Sequence, residues 1–266
     1  MYGESALVYA ALHNPNPDVI TALIKSGANI NDKKPNGGTA SIIAAANNQN
    51  PDVITTLLNS GANIHDRGLY GATALMAAAA NNQNPDVIKT LLKAGAKLDE
   101  KNMYGESVLV YAADNQIPEV VRTLIESGAN VNERMDDGLT VLFAAAENKN
   151  PDIIRTLLKA GAKVNSRSTD GRTALMHAAR NSQNPDIIKA LVEFGAGVND
   201  RSEDGLTPLM YAAGYNQNPA IVTILLKLGA NPKARTADGK RAIDLAKENE
   251  HIKGTNEYWD LNDASF

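Results

Sequence analysis

Asn84-Pro85-Asp86-Val87-Ile88-Lys89-Thr90-Leu91-Leu92-Lys93-Ala94-Gly95 decides the fold, because nearly the same stretch recurs along the whole chain. Asn-Pro returns at Asn16, Asn50, Asn150, Asn184 and Asn218, and Ile117-Pro118-Glu119-Val120-Val121 is a variant in the middle. Each copy runs on through an aliphatic pair to Gly-Ala, at a period of 33 to 34 residues. That period belongs to small helical units, none of which can bury its apolar face alone. Stacked, such units share one core and present a surface rather than a pocket.

Within the quoted copy, Asn84 caps free helix amides, Pro85 fits the first helical position, and Asp86 favours the positive dipole end. Val87, Ile88, Leu91 and Leu92 then form one apolar stripe. Gly95 ends the helix as a left-handed cap, and the same glycine recurs at Gly27, Gly61, Gly128, Gly161, Gly195 and Gly229. Upstream, Tyr70-Gly71-Ala72-Thr73-Ala74-Leu75-Met76-Ala77-Ala78-Ala79 opens on a turn glycine and continues as an alanine-rich run. Alanine costs little side-chain entropy and lets helices approach closely, so this run suits an inner helix packed on both sides. The turn glycines are Gly3, Gly37, Gly71, Gly105, Gly138, Gly171, Gly205 and Gly239. The expected fold is therefore all-α: a solenoid of helix, helix and protruding turn, about eight units forming one domain over residues 1–266.

On these residues the chain resembles the ankyrin-repeat family. The family's T-P-L-H-x-A signature stands as Thr207-Pro208-Leu209-Met210-Tyr211-Ala212, and in part as Thr73-Ala74-Leu75-Met76 and Thr173-Ala174-Leu175-Met176. Gly128-Ala129-Asn130-Val131-Asn132 is similar to its inter-repeat segment, and the Asn-rich spacing resembles bacterial members. The chain also departs from the pattern. Met, Val, Phe or Ile replaces the signature histidine, so the hydrogen bonds that histidine makes to neighbouring turns are missing. Asn-rich loops such as Asn81-Asn82-Gln83-Asn84 replace the Gly-His between the helices. These longer loops are expected at one edge of the stack, leaving the fold intact.

The ends differ from the middle. Lys240-Arg241-Ala242-Ile243-Asp244-Leu245-Ala246-Lys247 has a charged outer face and leads to Tyr258 and Trp259, so residues 237–266 read as a C-terminal capping unit. Met1-Tyr2-Gly3-Glu4-Ser5 reads like Met103-Tyr104-Gly105-Glu106-Ser107, as though the chain began inside a unit. Leu7, Val8, Ile20 and Leu23 then want a preceding unit, or that end is a self-association surface. The expected state is a monomer, with end-to-end stacking through the N-terminal unit as the alternative.

Composition removes several function classes. Net charge is −4 with a pI near 5.6 and no long Lys/Arg run, which argues against nucleic-acid binding. No stretch approaches the roughly 20 apolar residues of a membrane span. Cysteine is absent, which removes disulfides, thiol catalysis and thiolate metal sites. There is no signal peptide in the chain as it stands, which points to the cytoplasm; an upstream export signal, if removed, would change that. His13, His65, His177 and His251 lie far apart without ligand spacing, and no Walker-A or dinucleotide glycine pattern occurs. Carboxylates such as Asp136-Asp137 and Glu203-Asp204 stand beside turn glycines, where turn geometry explains them. No catalysis, cofactor or metal is expected.

The resemblance implies a protein-binding module, because ankyrin partners usually touch the turn tips and the exposed side of the inner helices. Carried onto this chain, the tips are Leu69-Tyr70, Met103-Tyr104, Asp136-Asp137, Thr169-Asp170 and Glu203-Asp204. After the turn glycines come Ala72, Glu106, Leu139, Arg172 and Leu206. The inner helices add Tyr111, His177 and Tyr211, and toward their ends Asp114, Glu147, Arg180 and Tyr215. Exposed aromatics are typical of interface hot spots, which singles out Tyr70, Met103 and Tyr104. Tyr111 and Tyr211 can equally pack against a neighbouring unit. Apolar tips in the N-terminal half and acidic tips in the C-terminal half imply a partner with an apolar anchor beside a basic strip. The same surface would serve a regulator or inhibitor of an enzyme, or a self-assembling scaffold.

Overall fold

The computed structural model describes residues 5–35 and 37–265. Gly3, with the rest of the unit-like opening Met1-Tyr2-Gly3-Glu4, lies outside the described residues. The chain divides into two compact halves, Met1–Asn130 and Val131–Phe266. The first holds four helix pairs: α1 (Ala6–His13) with α2 (Pro17–Lys25), α3 (Ala40–Asn47) with α4 (Pro51–Asn59), α5 (Ala74–Asn81) with α6 (Pro85–Lys93), and α7 (Val108–Ala113) with α8 (Pro118–Glu126). The second repeats the plan: α9 (Val141–Ala145) with α10 (Pro151–Lys159), α11 (Ala174–Asn181) with α12 (Pro185–Glu193), α13 (Pro208–Tyr215) with α14 (Ala220–Lys227), and α15 (Ala242–Ala246) with α16 (Asn256–Ala264). In each half the odd-numbered helices pack on one another as an inner layer and the even-numbered ones as an outer layer.

Local chemistry sets each helix as read from the sequence. Asn84 Oδ1 accepts the Asp86 amide at 3.0 Å with Pro85 in the first turn, and Asn16, Asn50, Asn150 and Asn184 do the same. The inner helices α5, α11 and α13 start on the hydroxyls of Thr73, Thr173 and Thr207. Val87, Ile88 and Leu91 are fully buried. Each such side chain contributes roughly 1.5–3 kcal/mol, so the stripe as well as the cap holds α6 in place. The cap glycines lie at φ between +89° and +100°, a region that residues with a Cβ disfavour. Among the described residues there is no strand beyond isolated bridges at the turns, such as Arg134 with Thr140.

The Asn-rich spacers, which leave the fold intact, also carry bonds between units. Within each half, spacer asparagines reach back to the preceding unit. Asn82 is fully buried, and its Nδ2 donates to the carbonyls of Ala45 and Asn48, both at 2.9 Å. Its Oδ1 accepts from the Asn84 amide at 2.9 Å. Asn48 donates likewise to Ala11 and Asn14, and Asn115 to Ala79 and Asn82. In the second half Asn216 donates to Ala179 and Ser182, and Asn249 to Ala213 and Asn216. The helix-capping asparagines serve twice, since Asn50 and Asn84 also donate to Pro15 and Gln49 of the unit before. Cross-unit hydrogen bonds are thus made by a ladder of amides in place of the family histidine.

Ser182 stands where the ladder wants an amide. Its hydroxyl accepts from the Asn184 amide at 3.2 Å, but it is too short to reach back across to the preceding unit. Ser182→Asn is expected to add two bonds to carbonyls equivalent to those Asn216 uses, those of Ala145 and Asn148. The gain is about 1–2 kcal/mol, at roughly 0.5–1.5 per bond. Urea unfolding checks it; an unchanged or lower midpoint would mean the gap is closed by other packing.

Candidate partner-binding surface

The turn tips form a hydrogen-bonded row within each half. Met103 N–H donates to Tyr70 O at 2.9 Å in the first half. In the second, Thr169 N–H donates to Asp137 O at 2.9 Å and Glu203 N–H to Asp170 O at 3.2 Å. Arginines brace the bases of the turns: Arg67 Nη1 donates to Gly71 O and Lys101 O, and Arg167 Nη1 to Gly171 O and Arg201 O. Their guanidinium groups are thereby committed to the protein's own backbone.

On the first-half tips, Leu69, Tyr70, Met103 and Tyr104 are each more than half exposed, Met103 reaching 68%. The Tyr70 and Tyr104 rings lie 5.5 Å apart. Among the described residues Tyr70 alone, other than glycines, has positive φ, at +56°. A non-glycine residue in that region costs of order 1 kcal/mol. Asn102 builds the other tip. It is 7% exposed; its Oδ1 accepts the amides of Tyr104 and Glu106, and its Nδ2 donates to the Glu106 carboxylate and the Tyr111 hydroxyl. Burial raises the Tyr111 pKa, partly offset by that bond, so the phenol stays neutral.

The remaining sequence candidates divide by burial. Asp114, Asp136, Asp137, Arg180 and Tyr215 are exposed. Ala72, Glu106 and Leu139, just after the turn glycines, and Tyr111 on α7 are half-buried. Arg172 is also half-buried, with its Nε 2.5 Å from Asp170 Oδ2 but out of hydrogen-bond alignment, so the pairing is one of charge. His177 is half-buried between Phe143 and Glu147. Tyr211, which the sequence left open between packing and binding, is 4% exposed: its ring packs in the core and its hydroxyl edge reaches the surface. Sequence reasoning missed Asn102 and Asn181, because an asparagine in an Asn-rich chain carries no signal of its own. It also missed Tyr9, 59% exposed with its ring 4.7 Å from that of His13.

Among the described residues no group of three or more His, Asp or Glu side chains is placed to hold a metal, and no helix is long and apolar enough to cross a membrane. Stacked helix pairs with linked turn tips define a repeat protein of the binding type. The chain belongs to the ankyrin-repeat family: the description "Ankyrin repeats (3 copies)" matches residues 2–67, 41–135, 75–168 and 142–236. The ankyrin repeat domain of human ASB11 is similar, with a TM-score of 0.72 and 25% identity, covering 86% of this chain and 100% of that one. The ankyrin repeat domain of Bcl-3, described as a unique member of the IkappaB protein family, has a TM-score of 0.63. It is 24% identical over 84% of this chain and 99% of that one, a likeness that shows the fold alone. No curated protein matches the sequence. Ankyrin repeats are a protein–protein interaction fold and generally non-catalytic.

Proposed function

We propose that the chain is a single array of about eight units, closed by a cap at residues 237–266, that holds a protein partner on its tips and inner helices without catalysis. The observation that carries this reading is the first-half tip patch. Four large apolar side chains stand exposed side by side, and one of them occupies a backbone region that only glycine adopts freely. A tip evolved for the turn alone would place Asn or Gly at position 70 and avoid the strain. The amide ladder and the linked tips hold the patch in place before a partner arrives, so little entropy is lost on docking.

The test is affinity capture from a source lysate with the native chain and with a Tyr70→Asn, Tyr104→Ser variant, followed by mass spectrometry. Hot-spot tyrosines carry about 2 kcal/mol or more each, so the variant is expected to lose its partner by roughly 30-fold or more. Its melting temperature should hold or rise, since Asn tolerates the left-handed turn. A partner retained equally by both proteins would sink the role of the tip.

A further inference from the structure

The inner-helix face of the second half carries two opposite charges held in different ways. Glu147, just beyond α9, is half exposed; its Oε1 lies 2.7 Å from His177 Nε2 and accepts from Asn181 Nδ2 at 3.0 Å. Burial, offset in part by Glu147, lowers the His177 pKa, and Arg172 and Arg180 add to the depression. The imidazole is therefore neutral at neutral pH, with its ring against Phe143 at 5.6 Å, and it orients the carboxylate without cancelling its charge.

Arg180 leans the other way. Its guanidinium lies 4.7 Å over the Tyr215 ring, and among the described residues no carboxylate pairs with it. Stacking occupies the flat face and leaves the N–H edges to donate. Tyr211, one turn before Tyr215, has its ring 6.2 Å away. Its side chain is nine-tenths buried, yet its hydroxyl has no partner among the described residues and is not sealed from solvent. A buried tyrosine ordinarily finds a partner for that group. Here the hydroxyl stays open to water or to an incoming group.

We infer that this face receives a protein segment with an Asp or Glu carboxylate seated on Arg180 and the Tyr211 hydroxyl, and a Lys or Arg facing Glu147. The inference rests on the binding reading above and names the chemistry of one part of the partner. The Glu147 carboxylate reaches His177 and Asn181 on α11, the helix that also carries Arg180, so the two charges of the segment meet neighbouring positions of one face. The nearby Glu147 charge also disfavours a doubly charged phosphate at Arg180, which is why a carboxylate is assigned.

Short random peptides displayed on phage and selected against the full chain supply the test. The native chain is expected to enrich peptides carrying both an acidic and a basic residue. Arg180→Glu, at an exposed position, should reduce retention of those acidic peptides about tenfold or more, and Tyr211→Phe should weaken it at unchanged melting temperature. Selection of uncharged peptides, or acidic peptides held equally well by Arg180→Glu, overturns the assignment. Tighter binding of the phosphoserine form of a selected glutamate peptide overturns the choice of carboxylate. Peptides that depend on Tyr70 and Tyr104 but ignore Arg180 overturn this inference and leave the tip reading standing. A native chain that retains no peptide overturns both.

Discussion

Asn82→Ala is expected to lower the stability of the folded chain by about 3 kcal/mol, although it removes a single polar side chain. The reason is the number of groups it strands. Asn82 Nδ2 satisfies the carbonyls of Ala45 and Asn48, and Oδ1 satisfies the Asn84 amide, all at 2.9 Å around a fully buried side chain. Water cannot replace it without opening the joint between two units. Each stranded group costs about 1–3 kcal/mol, so three of them account for the total even when relaxation recovers part of it. The adjacent Asn81 is the control. It is exposed and donates only within its own helix, to Ala77 O at 3.2 Å, so Asn81→Ala should change stability by less than about 0.5 kcal/mol. Equal urea midpoints for the two variants would mean the amide ladder does not hold the units together.

Asn82→Asp sharpens the same point through pH. The new carboxyl keeps an oxygen for the Asn84 amide but loses both donors, and it faces two carbonyls in a buried site. Burial raises its folded pKa above the unfolded value of about 3.9. The variant is then least destabilised below that unfolded value. Its deficit grows as pH rises, until the folded pKa is passed.

What the sequence made legible and what it hid follow from the range of the interactions. Asn84, Pro85, Asp86 and Gly95 act within one helix, so their roles could be read from local chemistry, and the observed caps and left-handed glycines match. The tip aromatics were legible because they break the repeat where other units carry Asp. The amide ladder was hidden: Asn82 reaches residues 37 and 34 positions back, and in sequence it looks like any spacer asparagine. Tyr211 and Tyr215 show the same limit. They sit four apart on one helix, yet one is 4% and the other 49% exposed. The neighbours of α13, namely α11, α14 and α15, set that difference, and no pattern within α13 contains it.

Gly171→Ala is expected to cost about 2–4 kcal/mol, and Gly239→Ala only about 1, although the two glycines share nearly the same backbone. Their φ values are +75° and +81°, so an added Cβ meets the same local penalty at both turns. What differs is the next unit. At Gly171 a Cβ would lie 2.9 Å from the backbone nitrogen of Glu203, closer than real Cβ contacts come, while at Gly239 it would meet nothing within 4 Å. The Glu203 side chain can swing aside, but its amide cannot, because it donates to Asp170 O in the link between the two tips. The alanine must therefore break that link or push one turn away from the other. Comparing urea midpoints isolates the contribution of tip-to-tip docking, since the shared backbone strain cancels. Equal losses would show the turns to be independent loops, each free to move alone. A larger loss at Gly171 means that the tips are fixed relative to one another, which is what a binding surface built from side chains on separate units requires.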